Sequence, residues 1–370
     1  MKAIIHIGHH KTGTTSLQSF LAVNWARLLA AGILYPWIES EGAAWGQAQL
    51  LRGEAVDPEL LPASLREPHN GMAFRMLAKA LPERNVPPHH RNTPMLPMML
   101  RAIRNQAELL EPEVMVFCSE VMGHFGIDAP DLIDTLAEPL DGAELVLHVT
   151  LRRPDDHLVA WHGQELWFGA PRPALSNPVS NPFEGVHFDY RAMIEPWLER
   201  MPGIAPHIRA HRAMMRAGGS ITDFFTRSGL ALPEGAAEVP VMNPSLPRAF
   251  YPLMRAANAA LPRPAARSLG PDLVHIAGML ALPAPDEIEF FGPARRAEMV
   301  ERFAPIHDWL AGISGGPLFD DLDEIARTRP VSEDEALAQV LGTLTSDHIA
   351  GFSNPAVRRF VADLKQGRAG

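Results

Sequence analysis

The chain has 370 residues, a formal net charge of −10 and 46% hydrophobic residues. That length and apolar content are enough to build one large α/β domain, or one domain with a helical appendage, around a sizeable core. The negative charge argues against a broad nucleic-acid surface, because binding to a phosphate backbone needs many lysine and arginine side chains.

Cysteine content and apolar patterning bear on the compartment in which the chain works. The single cysteine, Cys118, excludes an internal disulfide and is typical of a reducing environment. We find no signal peptide and no apolar run of about 18 residues, the length that would span a membrane. We therefore expect a cytoplasmic protein without a transmembrane segment.

The first predicted element is a buried strand over residues 3–7, which ends in the turn GHHKTGTTS at residues 8–16. An amphipathic helix follows to about Ala31. A strand, a glycine-containing turn and a helix start together form the arrangement that holds a phosphate. Successive backbone N–H groups and the positive end of the helix dipole then point into one concavity.

The position of Lys11 indicates which phosphate chemistry the turn serves. In the nucleotide triphosphatase loop, G-x-x-x-x-G-K-[ST], the lysine follows the second glycine and reaches the β- and γ-phosphates. Here Gly8 and Gly13 have the right spacing, but Thr14 stands where that lysine would be. The lysine lies three residues earlier, within the turn, which suits a donor with one phosphate in the loop and a reacting group just beyond it.

The region after the first helix is predicted to be less regular. Gly32 provides the helix stop, and residues 33–36 form a short second strand. Residues 37–97 are rich in polar residues, proline and histidine, and we predict a long irregular connection there, a lid or an acceptor-binding insert. A helix follows to about Leu110.

Buried strands are predicted at residues 114–118 and 144–151, with a short edge strand at 207–210. Helices separate the strands, and residues past 240 are mostly helical. This pattern predicts an α/β fold, a three-layer parallel sheet flanked by helices with a mostly helical C-terminal part. The Lys11 turn, Glu120 and Arg152 each follow a strand, so they should converge at the carboxyl edge of the sheet, where ligands bind in such folds.

The run HIGHHKTGTTSLQ at residues 6–18 resembles the 5′-phosphosulfate loop of sulfotransferases that use PAPS (3′-phosphoadenosine-5′-phosphosulfate). LRRPDDHLVAW, from residue 151, resembles their second signature, which grips the 3′-phosphate. CSEVMG, SITDFFTRSGL and MNPSLPRAF resemble further segments of bacterial members. The resemblance implies a P-loop NTPase-like sulfotransferase fold with a catalytic domain over residues 1–260, and a helical extension over 261–370.

The resemblance also implies a reaction. PAPS would donate its sulfuryl group by in-line displacement without a metal, Lys11 would neutralise the leaving group, and adenosine 3′,5′-bisphosphate would be released. In the family, a serine eight residues after the strand-end arginine also contacts the 3′-phosphate, and here that position is Ala160. The residues implied to bind the donor are Gly8, His10, Lys11, Thr12, Gly13, Thr14, Thr15, Ser16, Arg152 and Arg153.

The general base and the acceptor stay open at this point. Related enzymes use a histidine or glutamate after the second strand, and the candidates here are Glu39, Glu41, Glu120 and His10. The acceptor is a small molecule, a carbohydrate or a lipid, and the sequence does not give the oligomeric state. Two other functions compete with sulfuryl transfer. One is a metal-dependent P-loop kinase or nucleotide hydrolase, and the other is a non-catalytic relative that binds nucleotide.

Overall fold

The computed structural model describes residues 1–53, 57, 60–239 and 245–368. The chain forms two compact units, each built from three separate segments. The sheet unit comprises Met1–Arg153, Asp189–Met242 and Pro305–Asp320, and the helical unit comprises Pro154–Phe188, Asn243–Ala304 and Asp321–Gly370. Neither unit coincides with residues 1–260 or 261–370, because segments distant in the sequence pack together.

The sheet unit contains a five-stranded parallel sheet with the strand order β2-β3-β1-β4-β5. The α/β class predicted from the sequence is confirmed. The strands are β1 (Lys2–His6), β2 (Ile33–Leu34), β3 (Val114–Cys118), β4 (Glu144–Leu151) and β5 (Ala205–Ala210).

The central strand β1 is covered on both faces. Side chains alternate between the two faces of a strand, and Ala3, Ile4 and Ile5 are all 0% exposed. A continuous apolar run therefore suits this position, because a strand with one solvated face would alternate apolar and polar residues. The predicted buried strand at the start of the chain is confirmed.

The order in which the chain adds strands to the sheet changes sides at β1, although all the strands run parallel. The chain passes from β3, on one side of β1, to β4 on the other. His6 is in register with both Cys118 and His148, so β1 and β3 end at the same level and β4 runs on beyond them. Ligands of parallel sheets bind outside the carboxyl ends at such a change of sides, and the segments after β1, β3 and β4 meet there.

The helix predicted over residues 14–31 is interrupted at Asn24. The Asn24 side chain bonds both the N–H of Ala237, at 2.7 Å, and its carbonyl oxygen, at 3.0 Å, and the chain continues as a second short helix. Gly32 follows with a φ of +75°, as predicted for the residue after a helix. The first helices are α1 (Thr14–Val23) and α2 (Trp25–Ala30).

The prediction of an irregular segment over residues 37–97 is wrong, since its described residues are largely helical. Two glycines lower the intrinsic helix propensity of α3. A Cβ on Gly42 or Gly46 would lie only 2.6 or 2.7 Å from the Trp37 ring, so this helix is stabilised by close packing. The helices of this segment are α3 (Ser40–Arg52), α4 (Ala63–Arg66), α5 (Pro68–Ala80) and the start of α6 (Leu96–Leu110).

The remaining helices complete the two units. Those after α6 in the sheet unit are α7 (Gly123–Asp128), α8 (Asp131–Ala137), α10 (Tyr190–Arg200), α11 (His211–Arg216) and α12 (Ser220–Ser228). The helical unit has α9 (Pro154–Trp167), α13 (Tyr251–Ala260), α14 (Arg263–Ile276), α16 (Glu333–Thr343), α17 (Ser346–Ala350) and α18 (Pro355–Lys365). Helix α15 (Gly292–Ser314) belongs to both, and short strands β6 (Ile288–Glu289) and β7 (Val331–Ser332) pair in parallel. In the part of the chain that the structure describes, no helix has the length and apolar character to cross a membrane.

A row of histidines crosses the sheet, because His6, His148 and His207 are register partners on β1, β4 and β5. His6 and His148 are each 5% exposed, and His148 Nε2 lies 3.3 Å from His207 Nδ1. Burial is the main cause that lowers the pKa of all three side chains, to about 4 for His6. The row is therefore neutral at pH 7.

Acidification is expected to destabilise the sheet unit through this row. An unfolded histidine has a pKa of about 6.5, so below that pH the unfolded chain binds more protons and the free energy of unfolding falls. His6 contributes up to about 1.4 kcal/mol for each pH unit in this window. Urea unfolding from pH 7 to pH 4 should show a flatter pH dependence for His6→Leu, and an unchanged one for His275→Gln on the exposed face of α14. Equal slopes in all three proteins would contradict this account.

Candidate functional site

The Lys11 loop, residues 8–16, leaves β1 through two residues in the left-handed backbone region. Lys11 has a φ of +63° and Gly13 has a φ of +86°. Glycine adopts this conformation freely, whereas an L side chain such as that of Lys11 is strained there by about 1–2 kcal/mol. Gly13 is the N-cap of α1, and no side chain caps this helix end.

The loop presents hydrogen-bond donors that the protein does not use. Within the described residues, the backbone N–H groups of residues 13–16 have no hydrogen-bond acceptor. The Thr14 side chain is 4% exposed, and its Oγ1 also lacks a hydrogen-bond partner there. A buried polar group without a partner costs free energy. Together with the positive end of α1, which has no acidic residue in its first turn, these donors favour a bound anion.

Close packing holds the loop in this conformation. The Thr12 hydroxyl donates to the His9 carbonyl oxygen at 2.6 Å, and the His9 N–H donates to the Thr150 carbonyl oxygen on β4 at 3.1 Å. A Cβ on Gly8 would lie 2.9 Å from the ring of His6. The hydroxyl hydrogen of Thr12 is thus used inside the loop, while that of Thr14 is not.

Two cations lie at the neighbouring ends of β1 and β4. Burial lowers the pKa of Lys11, and the nearby charge of Arg152 lowers it further. An Arg152 Nη atom is 3.3 Å from His211 Nε2, and the Tyr190 hydroxyl donates to the Arg152 carbonyl oxygen at 2.9 Å. Arg153, the next residue, is only 7% exposed. The predicted meeting of Lys11 and Arg152 at one edge of the sheet agrees with this electrostatic coupling.

The end of β3 brings a carboxyl group to the other side of the loop. Glu120 Oε1 is 3.7 Å from His10 Nδ1. Burial, and then the charge of Glu67, raise the pKa of Glu120 to about 7. Burial lowers the pKa of His10 to about 3, helped by the neighbouring His124, His9 and Lys11. His10 and Glu120 therefore do not form an ion pair at pH 7, since the imidazole is neutral.

The other two base candidates, Glu39 and Glu41, lie at the start of α3. Glu39 is the N-cap of α3 and accepts hydrogen bonds from the N–H groups of Glu41, at 2.7 Å, and Gly42, at 2.6 Å. The Glu41 side chain is exposed in the first turn of the same helix. Among the contacts of the described residues, neither carboxylate reaches the Lys11 loop. Of the four candidates, His10 and Glu120 are the two that the structure brings together.

Three residues of the site carry no sequence signal that we could use. Glu67 precedes α5, Asn70 lies in its first turn, and Gln18 lies in α1. Glu67 and Asn70 come to the site because α5 packs beside the end of β3, about 50 positions later in the sequence. Gln18 follows the Lys11 loop directly, in α1. A glutamate and an asparagine in a polar stretch have no periodicity or spacing that distinguishes them from surface residues.

A separate cleft of about 410 Å³ lies within the helical unit. Its walls include Trp161, which stacks on His187 with ring centroids 3.9 Å apart. Glu165 and Arg172 also line it and form an ion pair at 2.6 Å. Residues of the segment 172–187 supply much of the remaining wall.

Neither a metal-binding group nor a similar known protein indicates a function for this site. In the described ranges, no group of three or more His, Cys, Asp or Glu side chains has an arrangement that could hold a metal ion. The segment MNPSLPRAF lies partly outside the described residues, because Met242, Asn243 and Pro244 are not described. Comparison with protein-family models, curated proteins and solved structures gives no match. The function must therefore be argued from the geometry of the loop.

Alanine at Gly13 is expected to destabilise the protein more than alanine at Gly53, which provides a matched control. Both residues have a positive φ, +86° and +69°, and each substitution adds strain of about 1–2 kcal/mol. A Cβ on Gly13 would also lie 2.9 Å from Ser220, whereas no atom of the described residues lies within 4 Å of a Cβ on Gly53. Urea unfolding measures both losses, and equal losses would show that the loop has room for a side chain.

Proposed function

We propose that this chain transfers the sulfuryl group of PAPS to a hydroxyl or amine of a small-molecule, carbohydrate or lipid acceptor. The observation that carries the proposal is the Lys11 loop, where free N–H donors and the Thr14 hydroxyl meet the cations Lys11 and Arg152. Among the described residues, no carboxylate accepts a hydrogen bond from the N–H groups of residues 13–16 or from the Thr14 hydroxyl. These donors and the two cations suit an anion with more than one negative group.

Two cations at the ends of neighbouring strands suit a nucleotide that carries two separate phosphates. The loop and the start of α1 would hold the 5′-phosphosulfate, because both supply N–H donors to one point. Arg152, at the end of the neighbouring strand, would bind the 3′-phosphate through its planar guanidinium group. Ala160 offers no hydroxyl to this phosphate, so Arg152 would contribute most of its binding energy.

The reaction would proceed by in-line attack of the acceptor oxygen or nitrogen on sulfur. The new bond to sulfur forms as the bond between sulfur and the bridging oxygen breaks, and the electron pair stays on the 5′-phosphate of adenosine 3′,5′-bisphosphate. Lys11 and the loop N–H groups would stabilise the charge that accumulates on that oxygen. The acceptor's proton passes to a base, and the contacts favour Glu120 or His10 over Glu39 and Glu41.

The position of Lys11 distinguishes this proposal from a kinase or nucleotide hydrolase. Those proteins need a lysine in place of Thr14 and a carboxylate that stays charged to hold Mg²⁺. Thr14 begins α1, and Glu120, with a pKa near 7, is only partly charged at neutral pH. Both features favour sulfuryl transfer over triphosphate chemistry.

Calorimetric titration with adenosine 3′,5′-bisphosphate tests the donor site. Lys11→Ala and Arg152→Ala are each expected to weaken binding by about 10-fold or more, because each removes charge-assisted hydrogen bonds. Arg152→Ala should not weaken binding of adenosine 5′-monophosphate, which lacks the 3′-phosphate. Lys79→Ala, at an exposed position of α5, is the control. Tighter binding of ATP with Mg²⁺ than of the bisphosphate would contradict the proposal.

Transfer of radiolabelled sulfate from PAPS tests the activity itself. A screen over sugar, lipid and phenol acceptors should give a labelled product, and Lys11→Ala should lower its rate by about 10²–10³-fold. Lys79→Ala should have the wild-type rate. Tight binding of the bisphosphate without transfer to any acceptor would instead indicate a nucleotide-binding protein without this activity.

A further inference from the structure

The carboxyl groups of Glu67 and Glu120 are joined by a single side-chain amide. Asn70 Nδ2 lies 3.0 Å from Glu67 Oε2 and 3.3 Å from Glu120 Oε1. Asn70 is 2% exposed, and the two glutamates are half-buried. One buried donor group therefore serves two acidic side chains that come from separate parts of the chain.

Neighbouring hydrogen bonds fix which end of the Asn70 amide faces the two carboxyl groups. The Cys118 carbonyl oxygen can only accept, so the Gln18 atom 2.9 Å away is its amide nitrogen. That nitrogen also donates to Asn70 Oδ1 at 3.1 Å. The Asn70 oxygen is thereby turned toward Gln18, and the Asn70 nitrogen is turned toward the two glutamates.

A second chain of hydrogen bonds leads to the same orientation. The Val121 N–H donates to Ser119 Oγ at 3.2 Å, which leaves the Ser119 hydroxyl hydrogen for another acceptor. That acceptor is Asn70 Oδ1, at 2.6 Å. Both hydrogens of the Asn70 amide are then directed at carboxyl oxygens, one on each glutamate.

The cation that faces this pair most directly is Arg66, whose charge lowers the pKa of Glu67 but does not outweigh the effect of burial. His10, 3.7 Å from Glu120, is neutral at pH 7 because burial lowers its pKa. Burial and the charge of Glu67 raise the pKa of Glu120, and burial raises that of Glu67. The other titratable groups that face the pair or its neighbours are Lys11, Tyr35, His89, Cys118 and His124.

We propose that Glu67 and Glu120 share one proton at neutral pH, with Glu120 as the base of the reaction and Glu67 as its positioning residue. Two carboxylates on one buried amide cannot both be ionised without strong repulsion. Glu120 Oε2 is buried and has no hydrogen-bond partner among the described residues. That oxygen would accept the acceptor's proton while Oε1 stays on Asn70.

The catalytic half of this inference rests on the proposed function, and the proton-sharing half does not. When the acceptor attacks sulfur, its proton would move to the Glu120 carboxylate and later to water. A base with a pKa close to the working pH is the most effective, because it is both ionised and basic enough. Glu67 would keep Glu120 in that range because the two carboxyl groups hold one proton between them.

Carboxyl titrations by nuclear magnetic resonance of the full chain, labelled with ¹³C-glutamate, test the shared proton without any substrate. Glu67→Gln is expected to lower the pH at which Glu120 titrates by about one unit or more, whereas Glu67→Asp keeps the charge and most of the effect. Glu165→Gln, which removes a partly buried glutamate of the helical unit, is the matched control. If Glu67→Gln does not fold, Glu120→Gln gives the reciprocal measurement on Glu67. An unchanged titration of the remaining glutamate would overturn the shared proton.

The pH profile of sulfate transfer tests the catalytic half. In Glu67→Gln the acidic limb of kcat/KM should move down by about the same pH interval as the Glu120 titration, and Glu108→Gln, exposed on α6, should leave it in place. A shifted titration with an unmoved limb would overturn the role of Glu120 as base. A shifted titration in a chain without transfer activity would support the shared proton and overturn the proposed function instead.

Discussion

Positive charge at the end of β1 and the start of α1 is the constraint around which the sheet unit is arranged. The first turn of α1 begins at Gly13, no side chain caps it, and Lys11 is held beside it in a left-handed conformation. Arg152 adds to this positive charge and lowers the pKa of Lys11. Groups of like charge repel each other when buried, so this geometry is most stable with an anion between them. The strain in the loop is consistent with a binding function.

The parallel sheet explains how a cation, Arg152, and a carboxyl group, Glu120, come to lie near the Lys11 loop. The ends of β1, β3 and β4 lie side by side where successive strands are added to opposite sides of β1. β4 delivers a cation, and β3 delivers Glu120, whose pKa is raised to about 7, so that it is only partly charged at neutral pH. A bound anion and the Glu120 carboxyl group can therefore occupy one edge of the sheet, because a protonated Glu120 does not form a salt bridge with the cations there.

The sequence was sufficient for the strands and for the glycine-containing turn between β1 and α1, because each depends on a local signal. Apolar runs predicted β1, β3 and β4, and Gly13 marked the start of α1. The helices within residues 37–97 were missed because α3 is stabilised by packing against Trp37 and contains two glycines that lower its intrinsic propensity. Glu67 and Asn70 were missed because a hydrogen-bond network between α1, α5 and β3 gives no periodicity in the sequence. The two units likewise join segments that are far apart along the chain.

A crystal structure with adenosine 3′,5′-bisphosphate tests the central claim most directly. The account predicts the 5′-phosphate on the N–H groups of residues 13–16, with Lys11 Nζ on an oxygen of that phosphate and the Arg152 guanidinium on the 3′-phosphate. A nucleotide bound away from the Lys11 loop would contradict it. So would a nucleotide in the loop whose 3′-phosphate lies in solvent with Arg152 turned away.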